Sequence, residues 1–147
     1  MKREDPAPRR KIDERRDWLP RQRLIKKQKA EAFGRKAEAL GAWYLRLKGY
    51  RILHRRYRTI VGEIDFIAQQ GHTLVFVEVK ARLDKESFRE ALTMRQKKRI
   101  EKAAVYYISK QRKRRTLEVR FDILWLRPWR WPQHIKNAWY KEGHSPV

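Results

Sequence analysis

At 147 residues and 18.1 kDa the chain is long enough to fold around one hydrophobic core and too short for two large domains. Its 39 Lys and Arg against 17 Asp and Glu give a formal net charge of +22, a surplus that seeks a polyanion such as a nucleic-acid backbone, while 41% apolar and 12% aromatic residues exclude a purely disordered basic tail. The lack of Cys excludes disulfides, Cys-ligated zinc and thiol nucleophiles, and the four His show no metal-ligating spacing.

Residues 1–29 carry 12 Lys and Arg, 5 Asp and Glu and three Pro with few apolar residues, a composition that reads as a mobile basic arm outside the core. The amino terminus has no apolar stretch behind Arg9-Arg10, which excludes a twin-arginine export signal, and no run approaches the roughly 18 apolar residues of a membrane span. A cytoplasmic protein that does not enter the membrane is expected. From Ala30 to Lys48, Ala30, Phe33, Ala37, Leu40, Trp43, Tyr44 and Leu47 recur at helical spacing, and Gly49 ends the helix. Three extended stretches follow, 50–58, 63–69 and 73–81, joined by short connections at Gly62 and Gln70-Gly71 that suit antiparallel hairpins. The spacing from Phe88 to Ser109 predicts a second helix, and Glu118 to Leu126 a last strand, which that crossover helix would set parallel to the third. The organisation is an arm at 1–29, an α/β domain at 30–126 with the order helix-strand-strand-strand-helix-strand and a mixed central sheet, and a tail at 127–147. In the tail, Trp129, Trp131 and Trp139 either stack on bases or, as the Pro128 and Pro132 bends favour, cover an edge or face of the sheet.

The informative residues are charges inside strands that otherwise read as buried. In LVFVEVK, Glu78 and Lys80 are two apart and share a strand face with Leu74 and Phe76; in GEIDFI, Asp65 shares a face with Glu63 and Ile67. A short hairpin brings Asp65 near Glu78, so two carboxylates converge beside one amine. Such groups need each other or a bound cation, and oxygen ligands of this kind suit Mg²⁺ or Mn²⁺, with the lysine placed to orient an attacking water. Each residue alone is better explained by an ordinary ion pair; the combination on a strongly basic chain is what points to chemistry. Glu63 either closes the hairpin or supports the site, and Asp122, in the apolar strand VRFDILWL, reads as the partner of a core-side Arg.

The stretch 95–115 holds Arg95, Lys97, Lys98, Arg99, Lys102, Lys110, Arg112, Lys113, Arg114 and Arg115 against Glu101 alone. That density favours tracking of phosphates over a merely solvated face. Arg51, Arg55, Arg56 and Arg58 form a second strip. Such contacts hold a duplex or junction without reading its sequence.

GEIDFIA, LVFVEVKAR and RFDILWL behind the helix GRKAEALGAWYL resemble the YraN-like family of small uncharacterised bacterial proteins, which is similar in fold to archaeal Holliday-junction resolvases; the resemblance covers roughly 34–126. It implies the restriction-endonuclease-like fold with Asp65, Glu78 and Lys80 as the catalytic set, Asp65 and Glu78 on the metal, and a further metal-supporting carboxylate on the first helix, which falls on Glu38. Where the family commonly has Gly-Glu, this chain has Ala37-Glu38, which bears on close helix packing and leaves the carboxylate in place. Gln96 stands where related nucleases often carry a helical Gln or Lys. The resemblance further implies Mg²⁺ or Mn²⁺ as cofactor, structured or branched DNA rather than RNA as partner, and a homodimer, since junction resolution needs two sites. The competing expectation is a non-catalytic nucleic-acid-binding protein that retains the nuclease fold.

Overall fold

A computed structural model of the chain describes residues 14–81 and 92–139. The chain divides into two compact units, Met1–Phe33 and Gly34–Val147. In the first, residues 14–33 are helical and open helix α1, Glu14–Leu47. The helix therefore begins well before the Ala30 expected from apolar periodicity. Its early turns are rich in Arg, Lys, Gln, Ala and Glu, residues that favour helix intrinsically without marking an apolar stripe.

The second unit contains β1 (Arg51–Arg58), β2 (Glu63–Gln70), β3 (Thr73–Ala81), α2 (Met94–Lys110), a 3₁₀ turn (Arg112–Arg114), β4 (Glu118–Leu126) and β5 (Gln133–Trp139). The strands form one sheet in sequence order, parallel between β3 and β4 and antiparallel elsewhere. Helix, three strands, helix and strand thus follow the expected restriction-endonuclease-like arrangement, and β5 extends it at the β4 edge. One apolar cluster joins Ile100, Ala103, Ala104 and Tyr107 of α2 to Ile67, Leu74, Phe76, Phe121 and Ile123. The other joins Ala37, Ala42 and Leu45 of α1 to Phe66, Ala68, Val75, Val77, Leu124 and Leu126. Leu74 and Phe76 fall on the α2 side of β3 and Val75 and Val77 on the α1 side, the alternation a strand imposes.

Gly49 closes α1 as expected. At φ 81° it lets Tyr50 donate its N–H to Leu45 O and Gly49 its own to Arg46 O, satisfying two terminal carbonyls. The face that α1 buries is shifted from the expected one: of the expected residues Ala37 is buried and Tyr44 partly so, but Leu40, Trp43 and Leu47 are exposed, and Ala42 and Leu45, outside that set, are buried. The reason is Gly41, where an added Cβ would lie 2.9 Å from Leu124 Cδ2 and 3.3 Å from Phe66 Cε2, so the helix approaches the sheet on its small residues. Ala37 fits that face, and the closest approach falls one turn later than the Ala37-Glu38 pair.

Helix α2 begins at Met94 rather than Phe88; Phe88 and Ala91 lie outside the described residues. Thr93 takes an extended conformation and its hydroxyl accepts the Gln96 N–H, while the Gln96 side chain accepts the Thr93 N–H, a reciprocal cap that fixes the first turn. Strand β5 was not expected, because Pro128 and Pro132 mark bends and QHIKNAW lacks an apolar run. Trp139 is buried and stacks on Phe121 with ring centroids 5.2 Å apart, whereas Trp129 and Trp131 remain exposed. Of the three rings, only that of Trp139 covers the sheet.

Candidate active site

The site forms where the hydrogen-bond ladder of the sheet opens. Strands β1 and β2 pair at Arg55↔Phe66 and again at Tyr57↔Ile64, leaving Arg56 and Asp65 between these pairs. Arg56 adopts a left-handed backbone at φ 50°, which is costly for a residue with a Cβ and re-aims its side chain. Strands β2 and β3 pair from Gln70↔Thr73 to Phe66↔Val77, so Asp65 and Glu78 come next on that ladder. There the Val79 N–H donates to Asp65 Oδ2 at 2.8 Å, a side chain taking the place of a backbone acceptor. The row Arg56, Asp65, Glu78 crosses three strands at this opening.

Glu38, Arg56, Glu63, Asp65, Glu78, Gln96, Arg99 and Ile100 line one open cleft of about 330 Å³. Of the five catalytic residues expected from the sequence, Asp65, Glu78, Glu38 and Gln96 share this cleft. Lys80 adjoins it through its Nζ, which donates to Glu78 Oε1 at 2.9 Å, with both side chains largely buried. Gln96 also has a structural task, since its Oε1 is committed to the α2 cap. Glu63 is held by Arg58 at 3.1 Å and Arg56 at 3.4 Å, and Arg56 lies 3.8 Å from Glu38. Arg56 is therefore the hub of the acidic rim, a role its place in a run of arginines did not disclose. Gly62 sets the other wall: a Cβ there would meet Arg99 O at 2.7 Å, so the β1–β2 turn sits directly on the α2 backbone and holds Arg99 over the cleft.

Electrostatics mark Asp65 as the perturbed group. Burial first, then the Glu78 charge and more weakly that of Glu38, push its pKa up to about 7, against the lowering effects of the Val79 N–H and Lys80. Among the described residues no three His, Asp or Glu side chains are gathered tightly enough to form a ligand set by themselves. The donor chemistry still suits a hard divalent cation. Such ions bind through one or two carboxylates and keep water and substrate phosphate as the remaining ligands, and a cation beside Asp65 and Glu78 would relieve the repulsion that raises Asp65. Asp65 and Glu78 are the pair that could hold it, with Glu38 within electrostatic reach of Asp65 but ion-paired to Arg56.

Asp122 is a separate matter. It is fully buried and its two oxygens accept from Arg120 Nε at 2.8 Å and Nη2 at 2.9 Å, from His134 Nε2 at 2.7 Å and from the Asn137 N–H at 2.9 Å. Burial works to raise its pKa, but the bonds from His134, Arg120 and Asn137 outweigh it and hold the carboxyl below the usual range. Lys48 Nζ lies 3.2 Å from His134 Nδ1, which makes that nitrogen the acceptor and leaves the proton on Nε2 for Asp122. Arg120 also donates to Tyr50 Oη at 2.8 Å. The expected pairing of Asp122 with an arginine is present, and the network also fastens β5 onto β4.

The basic residues divide. Arg95, Lys98 and Lys113 are exposed, Lys97 is half-buried, and Arg99 lines the cleft. Arg55 lies over the Phe66 ring, Arg58 and Arg56 are engaged by Glu63, and Arg115 donates to Ser109 O. A second cavity, at the far end of α2, is lined by Arg51, Gln69, Lys110, Gln111, Arg112, Lys113, Arg114 and Leu117, five of them cationic. The sequence showed the run, but not that Arg51 joins it from the start of β1.

A five-stranded mixed sheet with an Asp on β2, Glu-x-Lys on β3 and a basic crossover helix defines a small basic α/β protein with a restriction-endonuclease-like core. Residues 37–126 match the model of the "Uncharacterised protein family UPF0102". The chain is 49% identical over 114 residues to a UPF0102 protein of Mesorhizobium japonicum, covering 78% of this chain and 91% of that one. Similar matches are a UPF0102 protein of Bartonella tribocorum, 46% identical over 76% of this chain and 88% of the relative, and one of Parvibaculum lavamentivorans, 43% identical over 75% and 83%. The chain belongs to the UPF0102 family, the YraN-like proteins. Among the described residues no helix is long and apolar enough to cross a membrane.

Proposed function

We propose that this protein is a divalent-cation-dependent endonuclease that binds and hydrolyses structured or branched DNA. The observation that supports this best is the meeting of Asp65 and Glu78 at the opened ladder, with Lys80 bonded to Glu78 beside them, at a cleft that also carries Arg99 of the basic helix. Asp65 and Glu78 would hold Mg²⁺ or Mn²⁺, with Glu38 supporting the pair. The cation would supply Lewis acidity at the phosphate and a water of lowered pKa. Lys80, anchored on Glu78, would orient that water and stabilise charge gathering at phosphorus. The water oxygen bonds to phosphorus as one bridging P–O bond breaks; a proton leaves the water and another is taken up by the departing alkoxide, both exchanged with solvent.

The basic residues fit the same reading. Helix α2 is about 25 Å long, the length of about seven base pairs. Its first turns face the carboxylate cleft and its last turn borders the second, cationic cavity. Backbone laid along the helix would meet the cleft at one end and Lys110, Arg112 and Lys113 at the other. DNA in the cytoplasm is the polyanion proposed, in preference to RNA, and a branched substrate would be cut by two copies of the chain. The pairing of Glu38 with Arg56 favours a second reading, a DNA-binding protein that keeps the fold without turnover. A cleavage panel across labelled four-way junctions, flaps, plain duplex and RNA, with Mg²⁺, Mn²⁺ or EDTA, separates the two. Metal-dependent cutting of branched DNA that is lost in the Asp65→Asn/Glu78→Gln double variant supports the enzyme, and tight binding without cutting under every condition supports the binder.

A further inference from the structure

Backbone, charge and position all aim Arg56 at the cleft, yet the hydrolytic step described above does not use it. It stands opposite Asp65 where β1 and β2 skip a pair, and its backbone there is left-handed, at φ 50°. Its guanidinium reaches Glu63 at 3.4 Å and Glu38 at 3.8 Å, and it lines the cleft together with Asp65 and Glu78. We infer that Arg56 is an exchangeable counter-ion, which neutralises Glu38 while the cleft is empty of cation and substrate and transfers to a substrate phosphate once Glu38 is drawn to the metal.

Three observations support the exchange. Four carboxylates line the cleft, and two of them, Glu38 and Glu63, lie within ion-pair distance of the one guanidinium of Arg56. The Arg56 side chain is 49% exposed and the Glu38 side chain 22%, so the pair is screened, weak and easily exchanged. Arginine also suits the second half of the task, because its planar fork matches phosphate oxygens as well as it matches a carboxylate. The inference rests on the nuclease reading and adds to it a residue that opposes metal binding and favours substrate binding.

Opposite effects of one substitution are its signature. Asn tolerates the left-handed backbone and Gly adopts it freely, so Arg56→Asn and Arg56→Gly remove the guanidinium without adding strain. Mn²⁺ binding is measured by calorimetry on the full chain without DNA, and affinity for a labelled four-way junction by anisotropy in Ca²⁺. Both variants should bind Mn²⁺ about threefold to fivefold more tightly, the worth of one exposed ion pair, and should bind the junction more weakly and cleave it at least about tenfold more slowly. Arg56→Lys, which keeps the charge and loses the fork, should bind Mn²⁺ as the wild type does yet cleave slowly. A wild type that titrates Mn²⁺ and cleaves, beside Arg56→Asn and Arg56→Gly variants of equal or weaker Mn²⁺ affinity, overturns the exchange and leaves the nuclease reading standing. Unfolding of both variants also overturns it, by making Arg56 a structural residue. A wild type that neither titrates Mn²⁺ nor cleaves overturns both readings.

Discussion

Replacing Asp65 by Asn removes a negative charge at nearly constant shape and gives the site its sharpest test of electrostatics. The folded-state pKa of Asp65 is about 7 against 3.8 for the ordinary group. Because the folded pKa is the higher one, the folded protein holds the Asp65 proton over a range where the unfolded chain has already released it. Its contribution to stability is whole below about pH 4 and falls as pH rises toward 7. A gap of about three units corresponds to about 4 kcal/mol at and above neutral pH. The Asn variant lacks this titration, and its carbonyl can still accept the Val79 N–H. Urea unfolding of both proteins from pH 4.5 to 8.5 without metal should show the wild type losing stability with pH relative to the variant, leaving the variant more stable at pH 8 by up to about 4 kcal/mol. Mn²⁺ should then stabilise the wild type and not the variant, because the cation binds the folded state through Asp65. A variant less stable than the wild type at pH 8, or parallel pH profiles, would refute the reasoning by showing that Asp65 gains more from Val79 and Lys80 than it loses to burial and Glu78.

The remaining predictions concern the supports of the site and the surface around it. Asp122→Ala should cost about 3–5 kcal/mol, because it strands Arg120, His134 and the Asn137 N–H in the interior; denaturant unfolding reads this, and a loss under about 1 kcal/mol would contradict it. With a folded pKa below its unfolded value, wild-type Asp122 contributes stability above about pH 4 that is lost as pH falls further, the reverse of Asp65. Gly62→Ala should cost about 1–3 kcal/mol by forcing a methyl against Arg99 O, with junction binding weakened as Arg99 is displaced. Changing Lys113, Arg114 and Arg115 together to Ala should weaken DNA binding and flatten its salt dependence by about two to three ions released, read by anisotropy across a salt series; an unchanged slope would remove this end of α2 from the DNA path.

The fold was legible where residues carry both pattern and punctuation. Strands β3 and β4 occupy their expected residues because Thr73–Ala81 and Glu118–Leu126 are apolar runs bounded by polar turns, and Gly49 ends α1 for the reason its identity suggests. Sequence periodicity failed at α1, where small residues rather than Leu40 and Trp43 face the sheet, since close packing at Gly41 is a tertiary demand with no apolar signature. It failed again at β5, which joins the sheet by its ladder to β4 and by one buried carboxylate gripping His134 and the Asn137 N–H, a contact with no apolar signature. At the site, the strand spacing put Asp65 and Glu78 together correctly because register follows from a short hairpin. The basic strip that includes Arg56 was legible, but its ion pairs with Glu38 and Glu63 were not. A left-handed residue within a strand leaves no mark on sequence, and its pairing with Glu38 spans the distance from helix to sheet.

The most direct test of the central claim is single-turnover cleavage of a labelled four-way junction at saturating Mg²⁺, with wild type and the Glu78→Gln variant purified side by side. The amide that replaces the Glu78 carboxylate keeps an oxygen for Lys80 Nζ and removes the charge proposed to hold the cation, so the fold and the lysine anchor should survive while the chemistry does not. The account predicts cleavage by the wild type, abolished by EDTA, and a rate in the variant lower by at least about 100-fold at unchanged junction affinity. Equal rates in the two proteins, or no cleavage by a wild type that binds the junction tightly, would contradict it.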